Sequence, residues 1–190
     1  MSPASGRARW AGRVLVAVIA AVFVIDLGAV ASNWERMRPV GSGADAPEFA
    51  LPRIGARGVV GSDRLALSSL RGKAVIVDFW ETWCYPCREA MPVLDKIAAD
   101  YPGGEVALVS VCSDGTRRPV EARRLVDRLA PHAQLVADGG EVADLYGVGT
   151  IPHMVVIGRD GAVVHVHRRF TGAESLEHDL REAVAAALAR

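Results

Sequence analysis

The stretch Val77–Pro92, VDFWETWCYPCREAMP, decides how this chain folds. It joins the end of a valine-rich apolar run, Ala74–Trp80, to a segment whose apolar residues recur at helical spacing. We therefore predict a strand buried on both faces, followed by a helix over Pro86–Tyr101 that ends at a Pro-Gly-Gly sequence. Two cysteines, Cys84 and Cys87, lie where the predicted strand gives way to the predicted helix.

The spacing of these cysteines indicates redox chemistry. Three positions on a first helical turn place both side chains on one face, close enough to form a disulfide. Pro86 suits that turn, because an amide hydrogen there has no intrahelical partner. Cys84 is then near the positive end of the helix dipole, which favours the thiolate over the thiol. Since the thiolate is the attacking species in thiol–disulfide exchange, the pattern predicts a nucleophile at neutral pH.

Two other interpretations of the cysteine pair stay open at this point. C-x-x-C also begins many zinc sites, which need four ligands; a second C-x-x-C is missing, and His165 and His167 are the candidates to complete such a site. A purely structural disulfide is the other alternative, although so small a loop contributes little chain entropy. We expect neither a metal nor another cofactor.

Outward from this segment, predicted strands and helices alternate. A hairpin region is predicted over Pro47–Leu51 and Leu65–Leu70. Apolar runs and amphipathic patterns then predict strands at Val106–Val111, Gln134–Ala137, His153–Ile157 and Ala162–Arg168, and helices at Val120–Leu129, Glu141–Tyr146 and Glu174–Arg190. This order predicts the α/β class, with a mixed central sheet covered by helices on both faces.

Composition excludes several classes of protein. The chain has 190 residues, of which 51% are hydrophobic and 23% are charged, so it is long enough for one well-packed domain. The chain has 22 Lys and Arg residues and 22 Asp and Glu residues, so it lacks the excess of basic residues expected of a nucleic-acid-binding protein. Three cysteines are too few for a small disulfide-stapled protein.

The N-terminal segment predicts export. The 13 residues before Val14 carry three arginines and no acid, Val14–Ile25 is apolar, and Ala29-Val30-Ala31 forms an A-x-A cleavage site. This order is typical of a signal peptide, and the run is also close to the length of a membrane anchor. We predict a signal peptide or an N-terminal membrane anchor over residues 1–31, and either outcome places the rest of the chain in an oxidising compartment.

The remaining domain boundaries follow from composition. Gly, Pro and small polar residues are frequent in the stretch RPVGSGADA, Arg38–Ala46. We therefore predict a linker over residues 32–46 and one folded domain over residues 47–190.

With these motifs in view, the chain resembles the TlpA/ResA-like branch of the thioredoxin-fold thiol–disulfide oxidoreductases, which are membrane-anchored or periplasmic. The resemblance rests on Val77–Pro92, on DAPEFALP at Asp45–Pro52, on LSSLRGK at Leu67–Lys73 and on LYGVGTIPHMVVIGRDG at Leu145–Gly161. It implies a thioredoxin fold with an N-terminal hairpin extension and a central helix–strand insert within residues 117–137.

The resemblance also implies roles for individual residues. Cys84 corresponds to the exposed attacking cysteine and Cys87 to the resolving one. Pro152 corresponds to a cis-proline packed against the disulfide, and Ile151 before it offers backbone groups to the substrate. Asp78 matches the buried acid of thioredoxin itself, at a position where many TlpA-like proteins have a neutral residue. Burial would raise the pKa of this carboxyl, so that it could accept the proton of Cys87; a purely structural role for this acid stays open.

Residues around the cysteines are the candidates for substrate binding. We expect Trp83, together with Tyr85 and Pro86, to form the docking surface. Tyr85 departs from the family pattern, in which a small or acidic residue is frequent, and Ala90 stands where many members have a glutamate. We expect Cys112 to be a small buried hydrophobe, with a third redox thiol as the alternative.

The resemblance implies an exported enzyme that exchanges disulfides with partner proteins, and we expect it to act as a reductant, for example in cytochrome c maturation. Its partners would be protein dithiol or disulfide substrates and a membrane or periplasmic electron donor, not nucleic acid. A peroxiredoxin-like peroxidase is one alternative; such enzymes carry Thr three residues before the reactive cysteine, where this chain has Glu81, with Thr82 one place late. A non-catalytic thioredoxin-like binding module is another.

Overall fold

The structure, a computed structural model, describes residues 40–190 and positions 16, 18–20, 22–24 and 26. These isolated N-terminal positions are helical and exposed. The signal peptide or anchor predicted over residues 1–31, including its cleavage site, otherwise lies outside the described residues. Within the described part of the chain, no helix has both the length and the apolar character that crossing a membrane requires.

A seven-stranded mixed sheet organises the folded unit, in the order β2-β1-β5-β4-β3-β6-β7. The strands are β1 Ala50–Ile54, β2 Val60–Ala66, β3 Ala74–Trp80, β4 Val106–Cys112, β5 Gln134–Ala137, β6 His153–Ile157 and β7 Val163–Arg168. Strand β4 runs parallel to β3 and β5, whereas the other neighbours are antiparallel. The predicted mixed α/β sheet is thus confirmed.

Helices cover both faces of this sheet. They are α1 Tyr85–Ala99, α2 Pro119–Leu129, α3 Glu141–Leu145 and α4 Ala173–Leu188. One apolar core lies between the sheet and the buried faces of α1, α2 and α4. A second core lies on the opposite face, beneath α3 and the segments that precede β1 and follow β2. This arrangement includes the predicted N-terminal hairpin and the insert formed by α2 and β5.

Strand β3 positions the site because it lies inside the sheet, between β4 and β6, and is buried on both faces. Its side chains alternate between the two cores, with Ile76 and Trp80 in the core beneath α1 and α4, and Phe79 in the other. Asp78 has the same parity as Ile76 and Trp80, so it lies on the face that α1 covers.

Helix α1 begins one residue earlier than predicted and ends two residues earlier. Cys84 is its N-cap, with Pro86 in the first turn. Tyr101 is extended and precedes a proline, a conformation that Pro imposes on the residue before it, so the helix cannot reach this position. Met91 and Leu94 lie on the buried face of the helix and anchor it to the sheet.

The N-terminal hairpin and its lead-in differ from the predicted bounds. Leu67–Leu70, predicted as part of the hairpin, forms a 3-10 turn after β2. Part of the predicted linker over residues 32–46 pairs with the domain: the amide of Gly43 donates to the carbonyl of Val163 over 2.7 Å, and the amide of Val163 to Ala44 over 2.8 Å. These backbone bonds place the end of that linker within the folded unit.

Candidate active site

Cys84 and Cys87 form a disulfide at the start of α1, with an S–S distance of 2.03 Å and a Cα–Cα distance of 5.3 Å. The backbone amide of Cys87 donates a hydrogen bond to Sγ of Cys84 over 3.2 Å. This amide belongs to the first helical turn, whose N–H groups have no intrahelical acceptor. The Cys84 sulfur therefore lies where the free amides and the helix dipole stabilise negative charge.

The two sulfurs differ in their access to solvent. Cys87 is completely buried, whereas Cys84 keeps 3% of its surface exposed and lines a groove. The expectation that Cys84 is exposed is thus wrong: the residue is buried, and it meets solvent only where it lines the groove. A partner can reach Cys84 but not Cys87.

The groove beside Cys84 has a volume of about 630 Å³. Two exposed aromatic residues of the cysteine segment, Trp83 and Tyr85, contribute to it, with exposed fractions of 63% and 66%. The remaining wall residues lie after β3 and β4, in α1, at α3 and in the segment before β6: Glu81, Ser113, Pro86, Gly140, Ala143, Asp144, Val148, Gly149, Thr150 and Ile151. Its size and its aromatic flanks suit the binding of an extended peptide segment.

A cis peptide bond joins Ile151 to Pro152, immediately before β6. Ile151 is half-buried and lines the groove, which brings it to the same surface as Cys84. Pro152 is buried, and its carbonyl accepts a hydrogen bond from the amide of Arg169 over 2.9 Å. Of these two predicted substrate-binding residues, Ile151 is therefore the one that meets the groove directly.

Asp78 is 1% exposed, and its Oδ1 atom has no hydrogen-bond partner among the described residues. Burial raises the pKa of this carboxyl from 3.8 to about 7. It shares a face of the sheet with Trp80, which packs in the same core as both sulfurs. A buried acid that titrates near neutral pH is suited to proton transfer.

The family model described as the AhpC/TSA family matches residues 42–166. The chain belongs to this family. A curated relative, thiol-disulfide oxidoreductase ResA of Oceanobacillus iheyensis, is 31% identical over 175 residues, which cover 89% of this chain and 84% of the relative. ResA of Bacillus subtilis strain 168 is 28% identical over 167 residues, 87% of each chain.

A solved structure agrees with these relatives. A crystal structure described as that of a thiol:disulfide interchange protein DsbE from Chlorobium tepidum superposes with a TM-score of 0.65 at 28% identity, covering 78% of this chain and 99% of that one. The predicted thioredoxin fold and the resemblance to the ResA-like branch are confirmed. The chain is a thiol–disulfide oxidoreductase, and the alternative of a non-catalytic binding module is wrong.

Sequence analysis of this AhpC/TSA family member missed one buried residue near the site. Asp114, two residues beyond β4, is 2% exposed and accepts hydrogen bonds from the backbone amide and the hydroxyl of Thr82, over 3.0 and 2.5 Å. The sheet topology could have indicated this contact: β3 and β4 are parallel neighbours, so the residues that follow their carboxyl ends lie side by side. Thr82, which is one place late for the threonine of a peroxiredoxin-like peroxidase, thus has its hydroxyl bound to Asp114.

Cys112 is fully buried and donates a hydrogen bond from Sγ to Oδ1 of Asp114 over 3.1 Å. Burial, followed by the hydrogen bond to Asp114 and the charge of that carboxylate, raises the pKa of the Cys112 thiol. A thiol kept protonated in the core is a poor nucleophile. The structure therefore favours the buried hydrophobe over a third redox thiol.

The zinc interpretation receives no support. His165 and His167 lie on β7 with their ring centroids 6.0 Å apart. Across residues 40–190 and the isolated N-terminal positions, no three His, Cys, Asp or Glu side chains are grouped so that they could hold a metal ion. The two histidines consequently do not form a four-ligand site with the cysteines.

Proposed function

We propose that this oxidoreductase is exported and reduces disulfides in partner proteins, with Cys84 as the attacking cysteine and Cys87 as the resolving one. The observation that carries the proposal is the asymmetry of the pair. Cys84 faces the groove and its sulfur accepts the amide of Cys87, while Cys87 is enclosed behind it. The cysteine that a partner can reach is thus the one whose thiolate the helix N-terminus stabilises.

The reaction begins from the dithiol form. The Cys84 thiolate attacks one sulfur of the partner's disulfide, that S–S bond breaks, and the partner's second sulfur leaves as a thiolate. Cys87 then loses its proton and attacks Sγ of Cys84. The Cys84–Cys87 disulfide forms, the partner's first sulfur leaves, and two electrons have passed to the partner. The structure corresponds to this oxidised end state.

Asp78 is proposed to accept the proton of Cys87 in the second step. Its carboxyl is buried in the face that α1 covers, and burial raises its pKa to about 7. A base with that pKa is ionised in a large fraction of molecules at neutral pH and is still strong enough to take a proton. The unpartnered Oδ1 atom leaves an acceptor free for this purpose.

The groove is proposed to hold the partner as an extended segment. Trp83, Tyr85 and Pro86 are exposed on one side of Cys84. On the other side, Ile151 offers backbone groups next to the buried Pro152. Because the aromatic side chains lose little conformational entropy on binding, they are efficient contacts for a partner protein.

Export and partner identity rest on sequence. The arginine-rich start, the apolar run and the A-x-A site support a signal peptide or an anchor over residues 1–31. In that setting a membrane or periplasmic redox partner would return electrons to the Cys84–Cys87 disulfide. The resemblance to the TlpA/ResA-like branch supports exported proteins such as apocytochrome c as substrates.

Trapping of the mixed disulfide tests the assignment of the two cysteines. In Cys87→Ser the resolving thiol is missing, so a partner disulfide should accumulate as a covalent complex through Cys84. Cys84→Ser is the matched control and should trap nothing. The adduct would be seen on a non-reducing gel, removed by dithiothreitol, and mapped by mass spectrometry. Equal trapping by both variants, or by neither, would contradict the assignment.

A further inference from the structure

The backbone amide, the carbonyl and the hydroxyl of Thr82 all form hydrogen bonds. It lies in the loop between β3 and α1 and is completely buried, although the next residue, Trp83, is 63% exposed. Its amide and its hydroxyl both donate to the carboxylate of Asp114, over 3.0 and 2.5 Å. Its carbonyl accepts a hydrogen bond from Nη2 of Arg88, on α1, over 2.7 Å.

Asp114 carries the negative charge in this cluster. Burial alone would raise the pKa of its carboxyl, but the hydrogen bonds from Thr82 and Cys112 more than offset that effect, and the pKa lies below its usual value. The carboxylate is therefore ionised at neutral pH and has both oxygens directed at the backbone and side chain of one residue. A bidentate contact of this kind fixes orientation as well as position.

We propose that Asp114 is a positioning residue for the exchange reaction: by holding Thr82, it fixes the loop that carries Trp83 and places the Cys84 sulfur at the N-terminus of α1. This inference rests on the proposed role of Cys84 as the nucleophile. Asp114 lies 30 positions after Cys84, just beyond β4, and would be a further residue on which the reaction of Cys84 depends.

Stability alone does not require this arrangement. Replacing a whole buried charged network by well-packed apolar residues of similar volume is often neutral for stability, whereas a buried carboxylate imposes one geometry on its donors. The loop between β3 and α1 has few residues, and Cys84 is only two positions beyond Thr82. A shift of Thr82 would therefore also move the Cys84 sulfur. Displacements of about 1 Å at reacting atoms have large effects on reaction rate.

A matched pair of substitutions at Thr82 tests the inference. Thr82→Val keeps the β-branched shape but removes the hydroxyl, whereas Thr82→Ser keeps the hydroxyl. Both are made in the reduced, full-length Cys87→Ser protein, where the rate of Cys84 alkylation by iodoacetamide is measured from pH 5 to 10. We expect Thr82→Val to raise the apparent pKa of Cys84 and to slow alkylation at pH 7 by about fivefold or more, with Thr82→Ser close to the parent.

Asp114→Asn completes a double-substitution cycle. If Asp114 acts through Thr82, Thr82→Val should change the alkylation profile much less in the Asp114→Asn protein than in the parent. Thermal unfolding by circular dichroism is followed in parallel. If Asp114→Asn does not fold, the comparison of Thr82→Val with Thr82→Ser is sufficient to test the inference.

The experiment distinguishes failure of this inference from failure of the proposed function. A lower melting temperature in Thr82→Val with an unchanged Cys84 pH profile would show a merely structural role for the cluster and overturn the inference. An unreactive Cys84 in the parent protein would instead remove the proposed function, whatever the state of Asp114.

Discussion

Phe79 and His153 are paired across β3 and β6, and their rings meet edge to face with centroids 6.1 Å apart. His153 follows Pro152 directly and lies on the face of the sheet opposite Asp78. Neither of its ring nitrogens has a hydrogen-bond partner in the described part of the chain. Burial, with a further contribution from the charge of Arg168, lowers the pKa of His153 from 6.5 to about 4.

This histidine should make the protein sensitive to acid. Because the folded state holds His153 neutral, its contribution to stability is complete above pH 6.5 and is lost as the pH falls towards 4. His153→Leu should remove this loss, which amounts to up to ~3 kcal/mol. Urea unfolding at pH 7.5 and 4.5 measures it, with the exposed His178→Gln as the control. An equal loss of stability in His153→Leu and the parent would refute this source of acid sensitivity.

Asp78→Asn should separate catalysis from stability. The substitution removes the proposed proton acceptor, so resolution of the mixed disulfide by Cys87 should slow by roughly 100-fold. Stopped-flow mixing of the reduced protein with a disulfide peptide, followed by acid quench, measures the lifetime of the adduct. Asp63→Asn, at an exposed residue of β2 outside the groove lining, is the control. An unchanged adduct lifetime in Asp78→Asn would support the purely structural role of this acid.

The same variant should be more stable at high pH. The folded pKa of Asp78, about 7, exceeds its ordinary value of 3.8, so the stability contributed by its neutral form is present below pH 3.8 and lost as the pH rises through 7. Asp78→Asn avoids this loss and should raise the free energy of unfolding at pH 8 by up to ~4 kcal/mol, with little difference near pH 4. Denaturant titrations at the two pH values check the sign.

Trp83→Ala should weaken the reaction with proteins more than with small disulfides. Trp83 is 63% exposed beside Cys84, where it can contact a partner chain without supporting the core. We expect kcat/KM for a protein disulfide to fall about tenfold, in the range of an aromatic contact at an interface, and the rate with glutathione disulfide to stay nearly constant. Val59→Ala, an exposed residue outside the groove lining, is the control. Equal losses with both substrates would speak against a docking role.

Gly58→Ala should destabilise the domain through the contact between the hairpin and α2. Gly58 has a φ of +75°, and a Cβ atom there would lie 2.5 Å from Cα of Val120. A backbone clash of this kind should cost more than ~2 kcal/mol. Gly72→Ala is a close control, since its φ is +82° but its Cβ would meet no described atom within 4 Å, which leaves a penalty of about 1 kcal/mol. Similar unfolding curves for the two variants would contradict the clash.

The central elements could be predicted from local patterns. The bounds of β3, β5 and β6 agree with the sequence prediction because each is a short apolar run with clear polar, Gly or Pro residues beside it. The position of the disulfide at the start of a helix followed from the spacing of Cys84 and Cys87 and from Pro86 between them.

Contacts between distant segments could not be predicted in the same way. Asp114 meets Thr82 across 32 positions, and its role depends on the parallel register of β3 and β4. The pairing of Gly43 and Ala44 with Val163 likewise joins remote segments, so composition alone marked these residues as linker. The near-complete burial of Cys84 follows from the shape of the groove, which no local pattern encodes.

The ionisation of Cys84 tests the central claim most directly. The reduced wild-type protein is alkylated at increasing pH, and the modification of Cys84 is quantified by mass spectrometry, which separates it from Cys87 and from the buried Cys112. We predict a pKa for Cys84 at least about one unit below the value of about 8.5 of free cysteine. A Cys84 that ionises no more easily than free cysteine would contradict a nucleophile prepared by the N-terminus of α1.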